Sequence, residues 1–377
     1  MIDVMVPETV KMCLCLRNCK VKRRNLKIMA VMVIICVVCL FYNRLKRGWS
    51  YTIYRHSGYH SDREHQKTTQ PCTQSDTTYV NLGLDLTDDR LKEYVTSGVV
   101  MDDFKFLVNS DVCKSAQSVY VLAIVPSKPT NLVERTAIRQ TWGSRFKMQA
   151  NLKLVFLFGL DASPADHQLA EEQKTHADIV QGNFIDSYKN LTLKTVAMLQ
   201  WYKQFCPLAR YVMKVDDDVF VETDNLLSKL NLLDRESRFI LGFTDIADAP
   251  LRNSTNKWYL SFEQYPFMQF PRFAHGPAYV ISGDLVVDLF EIARHAPPIH
   301  LEDVYVTGLC AHIAKASHVS SSGFGLEPKQ WQDWIQSKSV ITAHGYTPSA
   351  MKYLWAELVK WRHFIPALRF MGTVYGY

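Results

Sequence analysis

The chain has 377 residues, of which 47% are hydrophobic and 21% charged, enough apolar material for one large packed domain or two average ones. Its net charge of +6 would suit a polyanionic partner, but residues 1–47 carry ten Lys/Arg against only Asp3 and Glu8, and the remainder is left at −2. The basicity belongs to the N-terminus, and nucleic acid is not expected as a partner.

From Ile28 to Tyr42 there are fifteen residues without a charge. As a helix this run measures about 22 Å, short for a span but workable in a thin bilayer with Lys27 and Arg44 snorkelling. It exits into Phe41-Tyr42-Asn43-Arg44 rather than a small-residue cleavage site, which favours a signal anchor over a cleaved signal peptide. The larger positive cluster precedes it, so residues 1–27 are expected in the cytosol and the C-terminal bulk in the lumen. There Cys72, Cys113, Cys206 and Cys310 permit two disulfides in any of three pairings. Asn190-Leu-Thr192 and Asn253-Ser-Thr255 are N-glycosylation sequons.

Residues 43–114 read as a polar stem, and a working domain is expected over 115–377. Val119–Val125 and Leu154–Phe158 are continuous apolar runs, the pattern of buried strands, with a helix over Asn131–Trp142 between them and a polar helix over Pro164–Thr175 after them. Asn190–Cys206 reads as an amphipathic helix and Tyr211–Val215 as a third strand. Helices over Glu222–Leu233, Asp284–His295 and Glu302–Ala314 alternate with strands at Phe239–Leu241 and Tyr279–Ile281. The alternation predicts an α/β domain with a mostly parallel sheet, whose ligands would sit beyond the carboxyl ends of the strands.

Lys214-Val-Asp216-Asp217-Asp218-Val-Phe220 ends the third strand. Three adjacent carboxylates repel one another, and a divalent cation such as Mg²⁺ or Mn²⁺ removes that penalty while bridging the phosphates of a nucleotide. Arg135 and Arg139, one helical turn apart, suit either a diphosphate or internal ion pairs. The acid pair Glu302-Asp303 interrupts an apolar stretch at a helix start, where partial burial can raise one carboxyl toward the range of a general base. Trp331 and Trp334 suit a core or a sugar face.

Six blocks, in order, resemble glycosyltransferase family 31, the β1,3-galactosyltransferase and β1,3-N-acetylglucosaminyltransferase group. They are Arg135–Trp142, Phe156–Gly159, Asp178–Thr195 with its Asp186-Ser-Tyr188-Lys-Asn190 core, Lys214–Phe220, Phe270–Ser282 and Glu302–Val306, with His344 as a late histidine. The likeness spans about 119–350. Phe270 and Phe273 stand where tyrosines are usual, Ala274 where many members have Cys, Pro277-Ala278 where small residues are usual, and Thr307 is inserted before Gly308. The first four are expected near the sugar-binding edge.

The resemblance implies an A-type glycosyltransferase (Rossmann-like) domain, Golgi membrane location with single-pass type II topology, and transfer of galactose from a UDP-sugar to the 3-hydroxyl of a glycan on glycoprotein or glycolipid. The alternatives are an N-acetylglucosaminyl or N-acetylgalactosaminyl donor, or a non-catalytic lectin-like receptor. It implies inversion, with Asp303 as base and Glu302 as the next acceptor-side candidate. It also implies Mn²⁺ or another divalent cation on Asp216, Asp218 and His344. Donor contacts are expected from Asp217, Arg135, Arg139, Asp186 and Lys194.

Overall fold

A computed structural model of the chain describes residues 87–375 apart from 99, 162–165, 234–235, 246–247 and 338. The anchor expected at 28–42, the segment before it, most of the stem and Cys72 lie outside these residues. No described helix is long and apolar enough to cross a membrane.

Folded structure begins before the expected boundary at 115. Helix α1 (Asp88–Thr96) buries Leu91 and Val95 completely or nearly so, and strand β1 (Phe106–Val108) pairs antiparallel with β4 (Ile179–Ile185). The apolar pieces of this stretch are too short, and too separated by polar residues, to carry a period of their own. The central elements are β2 (Val119–Pro126), α2 (Leu132–Gln140), α3 (Gly143–Met148), β3 (Leu152–Leu160), α4 (Asp166–His176), α5 (Leu191–Phe205) and β5 (Ala209–Val215). After them come β6 (Phe220–Val221), α6 (Thr223–Leu232), β7 (Phe239–Asp245), β8 (Phe273–Ser282), α7 (Gly283–His295) and a π-helix at Val304–Cys310. Strands β9 (Ser317–Ser320), β10 (Phe324–Gly325) and β11 (Thr342–Ala343) and helices α8 (Trp331–Gln336) and α9 (Pro348–Tyr375) complete the unit.

The main sheet has the order β1-β4-β3-β2-β5-β8-β7-β9. Strands β4, β3, β2 and β5 are parallel, as the strand–helix alternation predicts, but β8 runs antiparallel to both β5 and β7, so the sheet is mixed. Among the described residues no helix connects β7 to β8, and without a crossover helix consecutive neighbours return antiparallel. Strand β4 escaped detection because Gln181, Gly182 and Asn183 interrupt its apolar pattern.

The sheet is covered on both faces, which explains the unbroken apolar strands. Leu122, Ile124 and Val212 face a core shared with α5, α7 and the π-helix; Val121, Ala123, Val125 and Met213 face a second core shared with α2, α6 and α9. Helix α5 is not amphipathic as expected. Thr192 and every residue from Lys194 to Tyr202 are buried, because the sheet and α7 enclose it on opposite sides.

Of the three open cysteine pairings, Cys113–Cys206 is formed, with 5.4 Å between Cα atoms, and Cys310 is a buried free thiol. The bond ties the segment before β2 to the end of α5 across 93 residues. Cys113→Ser is expected to cost about 2–5 kcal/mol, the usual worth of a native disulfide closing a long loop, measured by denaturant unfolding against wild type.

Candidate functional site

The acidic triplet leaves the carboxyl end of β5 at the centre of the sheet. The strand alternates faces through Val215, and the turn that follows sends three carboxylates in three directions. Asp216 Oδ1 lies 2.7 Å from Lys214 Nζ, while its side chain keeps 34% of its exposure. Asp217 Oδ2 accepts from Ser127 Oγ at 2.7 Å and Asn131 Nδ2 at 2.9 Å, both at the β2–α2 junction. Asp218 Oδ2 lies 3.1 Å from His344 Nε2.

Lys214 is almost fully buried, and its ammonium also meets Glu302 Oε1 at 3.0 Å and the Gly276 carbonyl. Burial would lower its pKa, but Asp216 and Glu302 hold it well above the ordinary lysine value, so it stays charged. Glu302 accepts from Thr195 Oγ1 at 3.0 Å and Tyr279 OH at 3.2 Å. Burial raises its carboxyl, against the pull of Lys214. Glu302 is thus the buried member of the acid pair. It faces the protein interior and belongs to the support of the site, not to an acceptor-side surface.

Asp303 is the half-buried member of the pair. Its Oδ2 accepts from Gly276 N at 3.0 Å and its Oδ1 from its neighbour Val304 N at 2.9 Å. Gly276 lets the backbone come close to both acids: a Cβ there would stand 3.3 Å from Asp303 Oδ2, tight enough to press on that carboxylate, and 3.6 Å from Glu302 Oε1. A carboxylate fixed by two backbone N–H groups yet still in contact with solvent has the geometry of a positioned base.

His344 reaches Asp218 through the small sheet β10-β11-β6. Strand β11 pairs antiparallel with β6, Ala343 opposite Phe220, and so returns the chain beside the end of the acidic triplet. Gly345 N and Tyr346 N then donate to the Asp218 carbonyl at 3.1 and 2.9 Å. Gly345 makes that turn with φ +88°, a conformation that favours glycine.

The hydrogen bond to Asp218 raises the imidazole pKa above its usual value. His344 Nδ1 donates to the Leu326 carbonyl at 3.3 Å, so the Nε2 that faces the Asp218 carboxylate carries a second proton, the one a cation would displace. Among the described residues no three His, Cys, Asp or Glu gather closely enough to enclose a cation alone. The donor set nonetheless fits one: a carboxylate and an Nε2 meet at a partly exposed edge, with a proton in the position a divalent ion would take. Asp216, expected as a ligand, is engaged by Lys214.

Four of the expected donor contacts are internal. Arg135 has no exposure; its guanidinium bonds Glu172 through Nε at 2.8 Å and Nη2 at 2.7 Å, and reaches the Lys128 and Pro129 carbonyls. Arg139 pairs with Asp178 at 2.7 Å and Glu172 at 2.7 Å. These arginines brace the first βα unit and do not face a diphosphate. Asp186 Oδ1 lies 2.8 Å from Lys194 Nζ, and its Oδ2 accepts from Gly159 N at 2.9 Å. Lys194 also donates to the Ser127 carbonyl at 2.7 Å, and burial lowers its pKa against the opposing pull of Asp186. The pair is sealed under the floor of the edge and shapes the Ser127 turn that holds Asp217.

The departures at Phe270, Phe273, Ala274 and Ala278 are buried rather than lining a sugar edge. Pro277 touches the acidic triplet, its carbonyl accepting from Asp216 N at 2.9 Å. Trp334 is core, packed edge-on against Phe220 at 5.0 Å, and Trp331 stacks on Trp361. Asn253 is exposed in a turn closed by Thr255, whereas the Asn190 amide donates to the Ile185 carbonyl and Thr192 is buried. Ser127, Asn131 and Gly276 were not singled out from sequence as site residues; Pro126 before Ser127 marks the strand end, and Gly276 is the glycine of the Phe270–Ser282 block.

A family model described as Galactosyltransferase matches residues 133–322, which include the acidic triplet and Asp303. This chain belongs to that family. Galactosyltransferase-family relatives include the UDP-GalNAc:beta-1,3-N-acetylgalactosaminyltransferase 1 of Rattus norvegicus, 34% identical over 274 residues that cover 71% of this chain and 82% of the relative. The lactosylceramide 1,3-N-acetyl-beta-D-glucosaminyltransferase A of Xenopus laevis is 32% identical over 295 residues, covering 74% and 75%. The family 31 resemblance read from the sequence blocks is thus shown. Among solved structures, galactosyltransferase LgtC in complex with donor and acceptor sugar analogs overlaps 61% of this chain and 88% of its own at 10% identity, with a TM-score of 0.32.

Proposed function

We propose that this galactosyltransferase-family member is an inverting, metal-dependent β1,3-N-acetylhexosaminyltransferase of the A-type fold. It moves GalNAc or GlcNAc from its UDP-sugar to the 3-hydroxyl of a glycan acceptor on glycoprotein or glycolipid. The relatives named above are an N-acetylgalactosaminyl- and an N-acetylglucosaminyltransferase, so the alternative donor replaces galactose, the first expectation from sequence. The observation that carries the reading is the carboxylate of Asp303, held by Gly276 N–H of β8, the strand paired with β5, whose end carries Asp217 and the Asp218–His344 pair.

In that reading Asp303 takes the proton of the acceptor hydroxyl as it attacks the donor's anomeric carbon from the side opposite UDP, which inverts the linkage without a covalent intermediate. Asp217 orients the nucleotide, fixed by Ser127 and Asn131. Asp218 and His344 would hold the cation, with Asp216 nearby in the same turn, and a bound cation supplies charge neutralisation on the diphosphate. Lys214, anchored between Asp216 and Glu302, keeps the two halves of the site in register. The span at 28–42 would anchor the chain in the Golgi membrane with its catalytic unit in the lumen, and protection of that unit from protease in sealed microsomes checks the orientation.

The full chain, incubated in detergent with Mn²⁺, a β-galactoside acceptor and UDP-GalNAc, UDP-GlcNAc or UDP-galactose in turn, should form product fastest with one of the two N-acetylhexosamine donors. Product from UDP-galactose alone restores the galactosyl reading. UDP-sugar binding with neither transfer nor donor hydrolysis would mark a lectin-like receptor instead.

A further inference from the structure

The helix that follows Asp303 is wound as a π-helix over Val304–Cys310, with all seven residues buried. A π-turn holds one residue more than an α-turn and leaves a carbonyl outside the regular ladder. Here that carbonyl belongs to Thr307. The Ala311 N–H, its partner in an α-helix, bonds to the carbonyls of Val306 and Gly308 instead. The Thr307 carbonyl takes the imidazole of His318, at 2.6 Å from Nε2. Thr307 is also the residue that stands as an insertion before Gly308 when the acid-pair block is compared with the family pattern.

The Thr307 side chain has no exposure, and its hydroxyl meets three backbone atoms. Asp303 O lies at 2.6 Å, Ala274 N at 2.9 Å and Ala274 O at 3.0 Å. A hydroxyl has one hydrogen, which goes to the nearest acceptor, Asp303 O, while the oxygen accepts from Ala274 N–H. Two residues further along the same strand, Gly276 N–H donates to the Asp303 carboxylate at 3.0 Å. The start of β8 and the residue before the π-helix are therefore joined twice. One joint passes through Thr307, and the other is the bond that aims the carboxylate.

We propose that Thr307 is a positioning residue. Its hydroxyl sets the spacing between β8 and the π-turn, so that Gly276 N–H holds the Asp303 carboxylate where it meets the acceptor hydroxyl. Thr307 touches neither substrate nor the carboxylate, and it acts through Ala274 and the main chain of Asp303. The role in turnover rests on Asp303 as the base of the proposed transferase, whereas the geometric claim does not.

Thr307→Val keeps the shape and removes both hydrogen bonds; Thr307→Ser keeps the hydroxyl and removes a methyl group. Two readouts on the full chain test the idea. In the transfer assay Thr307→Val is expected to lower kcat by about 10²-fold, the scale of a misplaced reacting group, with the donor KM unchanged and Thr307→Ser near wild type. In amide hydrogen exchange without substrate, Gly276 should lose protection in Thr307→Val and keep it in Thr307→Ser. Should Thr307→Val not fold, Thr307→Ala against Thr307→Ser makes the same comparison, since both lack the methyl and differ only in the hydroxyl. Wild-type kcat in the folded Val or Ala variant, or a Ser variant as impaired as Val or Ala, overturns the proposal. If the wild-type chain transfers no sugar, the functional reading has failed, and Gly276 exchange alone decides: unchanged protection without the hydroxyl overturns the positioning role, lost protection upholds it.

Discussion

Asp303→Asn is expected to leave UDP affinity within experimental error of wild type while lowering turnover by on the order of 10²–10⁴, the usual worth of a positioned general base. The two effects separate because Asp303 is proposed to act on the acceptor hydroxyl and not on the nucleotide. Its carboxylate bonds Gly276 and Val304 main-chain N–H groups, and the residues proposed to hold the nucleotide and cation are at the triplet and His344. Asparagine is nearly isosteric and its carbonyl can still accept from Gly276 N–H. Loss of a charge at a helix start costs only about 0.3–1 kcal/mol, so folding is expected to survive. Calorimetric titration with UDP beside a transfer assay reads both quantities. Full turnover in Asp303→Asn would place the base elsewhere. Glu302 is a poor replacement, since it is nine-tenths or more buried and faces Lys214, Thr195 and Tyr279.

Asp218→Asn is expected to weaken Mn²⁺-dependent UDP binding and turnover together, with cation affinity falling by at least the roughly 10–100-fold that losing a mere supporting group of a metal ligand costs. EDTA should abolish transfer by the wild-type chain. The reasoning is that Asp218 contributes both a charge and the contact that faces His344 Nε2, and asparagine retains shape without charge. Because the imidazole pKa is raised by Asp218, a proton competes with a cation for Nε2. Cation affinity is therefore expected to fall as pH drops through the raised histidine value and to recover above it. A pH series of Mn²⁺ titrations, followed by tryptophan fluorescence or calorimetry with UDP present, measures this. Undiminished transfer in chelator would remove the cation from the mechanism.

The parts of the site that were legible in the sequence are those whose chemistry is local. Asp216, Asp217 and Asp218 announce themselves because three adjacent carboxylates at the end of an apolar strand repel one another, and Glu302-Asp303 because an acid pair breaks an apolar stretch. The division of labour within each group was not legible. The same charge pattern gives one carboxylate to Lys214, one to Ser127 and Asn131, and one to His344, and the turn geometry makes that choice. The arginines show an alternative that only distant partners close. Arg135 and Arg139 have the spacing of a diphosphate clamp, but Glu172 and Asp178 lie 37 and 39 residues away in sequence from their partners and claim both guanidinium groups.

The sequence by itself determined the parallel strands β2, β3 and β5, because a strand buried on both faces must be apolar at every position, and a continuous run needs no knowledge of its neighbours. It determined the family as well, since six blocks in order are a one-dimensional signal. Tertiary structure alone decided that β8 runs antiparallel, that Cys113 joins Cys206 while Cys310 stays free, and that α5 is enclosed on both sides. It also decided that His344 stands at Asp218, through a two-residue pairing of β11 with β6 whose strands are too short to have a period. Each of these depends on which distant surfaces meet, and burial and hydrogen-bond completion over the whole fold settle that where local residue order does not.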